Sequence, residues 1–435
     1  MREEYTFYIN NLSNLRDQLL SRSKEVDYIS ILDSNQYPTH SSWPTDYINY
    51  DLIAGVDSLE VLEVNTDAFN SLRAFHLKHQ DWLFGYLSYD LKNEVEELTS
   101  KNYDGIKAPL LSFFIPKYVL LLKGNLLEIY TYEPKEICEQ FLVNQAISFE
   151  EPISSVSLQK RDTRDDYLRK IEKIRRHIQR GDIYEMNYCQ EFFAKEVDLS
   201  PAAIFRQLNK YTTTPFSSFL KINHIYAMCA SPERFIKKSG NQLLSQPIKG
   251  TRKRGVNKEK DIILVSQLKN SKKDISENVM ITDLVRNDLS ITAKRGCVRV
   301  AELCEVYTFK KIHQMITTIT SEVNEGVQFS TILKSIFPMG SMTGAPKLKA
   351  MELIEEFESF KRGMFSGAIG YITPEADFDF NVVIRTILYN ASTKYLSVGV
   401  GGAITSKSDA EEEYEECLVK VNPIFDVLNF QLDEE

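Results

Sequence analysis

Ser245-Gln246-Pro247-Ile248-Lys249-Gly250-Thr251-Arg252-Lys253-Arg254-Gly255 sets one lysine between a proline and a glycine, then runs through three cations. Taken alone, it reads as a basic surface turn, because Pro and Gly punctuate turns and charge prefers water. It also reads as a lysine held beside an anion. Burial and the neighbouring positive charge both disfavour an ammonium, so Lys249 is expected to act as a free-amine nucleophile.

Three further stretches carry chemistry-bearing residues. Phe337–Lys347 is a Gly/Ser/Thr loop that opens a helix, with Pro346 near the first turn. Backbone N–H groups at such a start suit a carboxylate or phosphate; a plain capped helix is the competing reading. Between Asp274 and Asp288, Asp274 shares a helix face with Glu277, and Asp283 with Arg286. Between Asp409 and Lys420, Glu413 shares a face with Glu416, and Glu416 reaches Lys420 at four spacing. Solvated charge and an acidic helix start favoured by the macrodipole explain both stretches without function. Taken with Glu277, however, these carboxylates offer an oxygen-rich magnesium site.

The bulk numbers exclude several classes. With 435 residues, 43% hydrophobic and 26% charged, the chain reads as an ordinary soluble protein of one large domain or a few smaller ones. A net charge of −9 argues against nucleic acid as a partner. Met1–Ser21 has no signal-type apolar core, and runs such as Tyr118–Leu122 are too short to span a bilayer. The expectation is a cytoplasmic protein with no membrane partner. Six cysteines without C-x-x-C spacing read as reduced thiols rather than a zinc site. No dinucleotide fingerprint, phosphate loop or Gly-x-Ser-x-Gly elbow is present.

Apolar patterning predicts strands at Asp27–Leu32, Leu59–Val64, Trp82–Tyr89 and Tyr118–Tyr130, then a crossing over Gln140–Arg161. A helix runs from a Thr163 cap to Gly181, with Tyr167, Ile171, Ile174 and Ile178 on one face. Beyond it, Phe219–Cys229, Arg234–Lys238, Gly367–Ile372, Val382–Tyr389 and Tyr395–Val400 read as extended. Lys258–Asn287 and Pro346–Phe357 read as helical. The class is α+β with mainly antiparallel sheets and surrounding helices, and no doubly wound alternation.

The order of the motifs is more telling than any one of them. Ser231-Pro232-Glu233-Arg234-Phe235, Pro-Ile-Lys-Gly-Thr at 247–251, Glu277–Asp288, Gly340–Lys347, Gly367-Ala368-Ile369-Gly370-Tyr371, Ile384-Arg385-Thr386, Gly401-Gly402-Ala403 and Glu413–Lys420 follow one another. Across about residues 160–430 the chain resembles the chorismate-binding enzyme family. That family includes anthranilate synthase component I, aminodeoxychorismate synthase component I, isochorismate synthase and salicylate synthase. The resemblance implies an anthranilate synthase component I-like fold, with the active site in a cleft between sheet regions. It implies an N-terminal domain over 1–155 and a chorismate-binding catalytic domain over 156–435. A tryptophan pocket is implied near Ile31-Leu32-Asp33-Ser34, and Phe84-Gly85-Tyr86-Leu87-Ser88-Tyr89-Asp90 also fits the family.

Lys249 stands where anthranilate synthases typically carry Ala and many aminodeoxychorismate synthases carry Lys. This implies the aminodeoxychorismate branch, which turns chorismate and ammonia into 4-amino-4-deoxychorismate for p-aminobenzoate and folate. Anthranilate synthase component I is the alternative. Isochorismate or salicylate synthase is disfavoured by the Pro-Ile-Lys-Gly-Thr motif, and a non-catalytic chorismate or tryptophan binder by the intact acid, lysine and metal carboxylates. By the same resemblance Lys249 adds to C2 of the ring and Glu233 protonates the departing C4 hydroxyl. Glu277 and Glu416 bind magnesium, with Glu413 contributing and Asp274 in support. Arg385, Tyr371 and Lys420 bind the enolpyruvyl carboxylate, and Gly250, Thr251, Thr343, Gly401, Gly402 and Ala403 complete the pocket. Two positions depart from the family. Gln314 aligns where His is common, with His313 one residue early and expected on the opposite face as a packed histidine. Ala403 replaces a common Gly and is expected to tighten the pocket. No glutaminase or lyase domain is read, which implies a separate glutamine amidotransferase subunit as a heterodimer partner.

Overall fold

The alternating apolar runs form strands, and every ladder between them is antiparallel. The computed structural model describes residues 2–36, 50–142 and 156–430. The expected domain boundary at 155, and most of the expected crossing before it, lie outside the described residues. Tyr28–Asp33, Leu52–Val64 and Leu83–Leu87 are extended as expected, the second of them longer than the apolar run suggests. The expected single strand over Tyr118–Tyr130 is instead a hairpin of Leu111–Lys123 and Leu126–Thr131, turned at Gly124. Likewise Phe219–Cys229 is a hairpin of Phe216–Ile222 and Ile225–Ser231, turned at Asn223.

From the long strand Leu111–Lys123 the pairing runs out along two arms. One arm passes through Leu52–Val64, Tyr28–Asp33, Phe216–Ile222, Ile225–Ser231, Thr386–Asn390 and Tyr395–Ile404 to Glu185–Ala194. The other passes through Leu83–Leu87, Ala368–Ile372, Phe378–Asn381, Arg234–Ser239 and Gln242–Gln246 to Ile312–Glu322. Ile248–Lys253 and Arg299–Thr308 then pair with Ile312–Glu322. Strands from the first 142 residues are thus laddered directly to strands beyond residue 200 in both arms.

Helices cover the arms. Arg164–Arg180 carries the expected caps: Thr163 and Asp166 form a reciprocal capping box, and Gly181 closes the end at φ 82°. It packs against Ala410–Val427, which also packs against Pro201–Thr212, beside the first arm. The expected helix Lys258–Asn287 is two, Lys258–Lys269 and Lys272–Ser290, because Ser271 breaks the run and caps the second through the Asp274 amide. Both lie on the second arm.

All ten residues of Glu185–Ala194 are buried, so its charged side chains need partners. Glu191 pairs with Arg161 at 2.8 Å. A second buried pair frames the strand from outside. Arg362 binds Glu358 at 2.6 Å and also donates to the carbonyls of Asn187 and Met342. Glu358 in turn accepts from the Cys189 amide at 2.8 Å. Both side chains are 1% exposed. Removing one partner of such a pair leaves a buried charge, at a cost of about 3–5 kcal/mol. Arg362→Met should therefore lower the urea midpoint markedly, and adding Glu358→Leu should recover only the part due to the unpaired charge, because the Asn187 and Met342 carbonyls stay unsatisfied. An unchanged midpoint in the single variant would show that the pair does not hold the fold.

Candidate functional site

A cavity of about 430 Å³ opens where the two arms end. The first arm contributes Asn187 and Gly399–Ala403, and the second contributes Ile248–Lys253 and Gln314. The chain switches arms twice at this point. Glu233 sits on the switch from Ile225–Ser231 to Arg234–Ser239, and Arg385 on the switch from Phe378–Asn381 to Thr386–Asn390. Arg385 adopts φ 52°, which breaks the single strand expected over Val382–Tyr389. Helices Lys272–Ser290 and Ala410–Val427 face each other over the opening and are joined by Lys273 and Glu413 at 3.3 Å.

Lys249 projects into this cavity with its side chain 10% exposed. The structure corrects the expected charge state. Burial does lower the pKa of its ammonium. The carboxylates of Glu185, Glu277 and Glu233 outweigh that, and the net shift is upward. The expected positive neighbours look elsewhere: Arg252 pairs with Asp274 and Arg254 with Asp261. Lys249 therefore rests as an ammonium. Gly250, next to it, has φ 89°, and a Cβ there would lie 3.0 Å from Asp274 and Leu268.

Glu233 is buried, and its carboxyl is pushed up to about 7 by burial, against the opposing pull of Ser341, Lys249, the Ile248 amide and Arg385. Such a group holds a proton near neutral pH and can give it to a leaving oxygen. Arg385 makes no ion pair with the described residues, and burial lowers its pKa while Glu233 opposes the shift. With Lys420, whose ammonium donates to Gly401 O at 3.1 Å, it gives the cavity two cations for a carboxylate. Gly402 leaves room for that arrangement: a Cβ there would lie 3.3 Å from the Lys420 Nζ.

Glu277, Glu413 and Glu416 all line the cavity. Burial pushes Glu277 up to about 7, and its Oε1 is buried with no hydrogen-bond partner among the described residues. Glu416 is pulled down by Lys420, its ion-pair partner at 2.8 Å. No three metal-type ligands converge tightly among the described residues. The set nevertheless suits magnesium, which takes one or two carboxylates and leaves the rest to water and substrate. An orphaned buried oxygen on Glu277 is what such an ion would satisfy.

Two expected site residues lie elsewhere. Thr343 is fully buried and turns its hydroxyl onto the Met339 and Gly340 carbonyls of its own turn, so Ser341 and Met342 reach the cavity instead. Tyr371 belongs to Ala368–Ile372, away from the arm ends. It lines a separate cavity of about 70 Å³ with Ser34, Tyr50, Phe216 and Arg234. Gly250, Thr251, Gly401, Gly402 and Ala403 do line the main cavity, and Ala403 is paired with Asn187. Strand alternation separates the two residues at the departure noted above. Gln314 faces the cavity, while His313 bonds Asp261 and Thr308 at 2.9 Å on the other side. Sequence reading missed Asn187, Phe365 and Glu185. A signal existed for the strand residues: Glu185, Asn187 and Glu191 recur at even spacing in a mostly apolar run.

Residues 41–426 match the model of the chorismate binding enzyme family. The chain is a chorismate-binding enzyme. It is 33% identical over 352 residues to aminodeoxychorismate synthase component 1 of Klebsiella aerogenes, covering 80% of this chain and 77% of that one. It is 30% identical over 364 residues to anthranilate synthase component 1 of Cereibacter sphaeroides, covering 79% and 72%. Among solved structures, anthranilate synthase component I from Streptococcus pneumoniae superposes with a TM-score of 0.75 at 21% identity, over 90% of this chain and 95% of that one. That likeness carries the α+β fold. No helix among the described residues is long and apolar enough to cross a membrane.

For this chorismate-binding enzyme the raised Glu233 carboxyl gives a signed pH dependence. Folded Glu233 keeps its proton up to about 7, whereas the unfolded carboxyl loses it near 4.5. Its contribution is complete below the unfolded value and is lost as pH rises through 7. Glu233→Gln, neutral throughout, should melt close to the parent at pH 5 and above it at pH 8. A gap that stays constant between those pH values would show that Glu233 is not raised.

Proposed function

We propose that this chain aminates chorismate at C4, in the cytoplasm, using ammonia from a separate glutamine amidotransferase subunit, and releases 4-amino-4-deoxychorismate. The observation that carries the reading is Lys249 itself: an amine nucleophile buried in the cavity wall, with the protonated acid Glu233 lining the same cavity. Its support among relatives is the Klebsiella aminodeoxychorismate synthase component 1.

Chorismate is a dianion. Arg385 and Lys420 offer charge for the enolpyruvyl carboxylate. Glu277 and Glu416, with Glu413 beside them, would hold magnesium, which supplies neutralising charge for the ring carboxylate when bound. The neutral Lys249 amine adds to C2, the two conjugated ring double bonds shift, and the C4–O bond breaks. Glu233 gives its proton to that oxygen, which leaves as water. Ammonia then adds at C4, both double bonds shift back, and the C2–N bond breaks to return the lysine amine. The proton shed by the new C4 ammonium restores Glu233. Gly250, Thr251, Gly401, Gly402 and Ala403 keep the walls close to the ring. We assign the tryptophan expected of the N-terminal region to the smaller cavity, whose Tyr50, Phe216 and Tyr371 walls offer aromatic faces.

The Cereibacter relative favours a second reading, amination at C2 followed by pyruvate loss. A product assay with chorismate, magnesium and excess ammonium at alkaline pH separates the two. The expected product is 4-amino-4-deoxychorismate; anthranilate would replace the first reading by the second. Lys249→Ala should lower turnover on the order of 100-fold or more, the scale of losing a positioned catalytic group, and unchanged turnover would remove the covalent route. Glu277→Gln should raise the magnesium concentration needed for half-maximal rate; an unshifted requirement would take Glu277 out of the metal site.

A further inference from the structure

Glu185 opens the buried strand Glu185–Ala194 and sits next to Lys249 without itself lining the cavity. Its Oε1 lies 3.1 Å from the Lys249 Nζ. Its Oε2 is buried with no hydrogen-bond partner among the described residues, and its side chain is 1% exposed. This differs from two other buried carboxylates that serve the same strand. Glu191 is held by Arg161, Tyr395 and Ser397, and Glu358 by Arg362 and the Cys189 amide. Those two are satisfied structural anions, whereas Glu185 has one hydrogen-bond partner among the described residues, and that partner is the nucleophile.

A lysine that rests as an ammonium cannot attack carbon until a base removes a proton. The charged groups around Lys249 come from four elements. Glu233 comes from the arm switch, Glu277 and Lys273 from one helix, Glu416 and Lys420 from the last helix, and Glu185 from the strand it opens. Glu233 carries the proton meant for the leaving oxygen. Glu277 and Glu416 face the cavity, where substrate charge arrives. Among them, and among the described residues, Glu185 is the carboxylate within hydrogen-bond distance of the Nζ. Two buried, oppositely charged groups also pay a desolvation cost that a neutral pair avoids, which brings amine and carboxylic acid closer in energy to the ion pair.

We propose that Glu185 is the base for Lys249: it takes one proton from the ammonium before attack and returns it after the lysine is expelled. The role rests on the C4 amination reading. Before attack, ammonium and carboxylate become amine and carboxylic acid. The amine lone pair forms the C2–N bond, and the nitrogen keeps its two hydrogens as a secondary ammonium. When ammonia adds at C4, the C2–N bond pair returns to that nitrogen as a neutral primary amine. Glu185 then hands its proton back, so the pair ends the cycle as it began, with chorismate and ammonia converted to product and water.

The test compares Glu185→Gln, Glu185→Asp and Lys249→Ala in the ammonium-dependent product assay across pH. Glu185→Gln should lower kcat on the order of 100-fold, the scale of a lost general base, with the chorismate KM within about twofold. Its rate should keep climbing with pH where the parent is level, because solvent must then deprotonate Lys249. Glu185→Asp should keep an intermediate kcat. A parental kcat in Glu185→Gln, or equal losses in both variants with the parent's pH profile, overturns the proposal. Should Glu185→Gln fail to fold, Glu185→Asp carries the test, since a parental kcat there with the carboxylate drawn back by one methylene also overturns it. A dead Lys249→Ala enzyme beside an unimpaired Glu185→Gln enzyme removes only the role of Glu185. Full turnover by Lys249→Ala removes the covalent reading and this role together.

Discussion

The buried pair between Arg362 and Glu358 is the constraint around which the cavity is assembled. One guanidinium bonds a carboxylate, the carbonyl of Asn187 and the carbonyl of Met342. The same carboxylate caps the amide of Cys189. A strand of the first arm, the Gly340–Met342 turn and the segment leading to Ala368–Ile372 are thereby held in one register. Tyr89 and Asp90 bond Gly363, the next residue, so the N-terminal strands are tied to the same point. A planar cation with five donors can serve so many acceptors at once; an apolar residue of the same volume would leave each of them unsatisfied.

Charge inside the cavity follows from that frame. Lys249 is buried among carboxylates, Arg252 and Arg254 are drawn off by Asp274 and Asp261, and Arg385 stands beside Glu233. The result is one carboxyl, Glu233, raised to about 7 near one amine that favours the charged form. Environments that push acids and bases apart in this way assign the proton-carrying roles. The lysine is charged at rest because its nearest partner is Glu185, a residue from a strand some sixty positions earlier in the chain.

Much of this was legible in the residues alone. Period-two apolar runs, the Thr163 cap and the Gly181 stop led to the right elements, because local propensity and burial agreed there. Motif order led to the family and to Lys249, Glu233, Arg385, Lys420 and the three helix carboxylates, which line the cavity. Alternation along one strand sufficed to separate His313 from Gln314.

What remained depended on which segments meet. The hairpin at Asn223 and the break at Arg385 look like continuous strands in sequence, since a left-handed turn at a non-glycine residue leaves little compositional trace. Tyr371 and Thr343 sit within motifs that border the site, yet one is carried off by its strand and the other spends its hydroxyl on its own turn. The charge of Lys249 could not be read from its neighbours in sequence, because Coulomb interactions act through space: adjacent cations are neutralised by distant acids, and distant acids surround the amine. Sequence determined which chemical groups this enzyme possesses and the family they belong to; only the tertiary structure decided which of them share a low-dielectric cavity, and so which hold protons there.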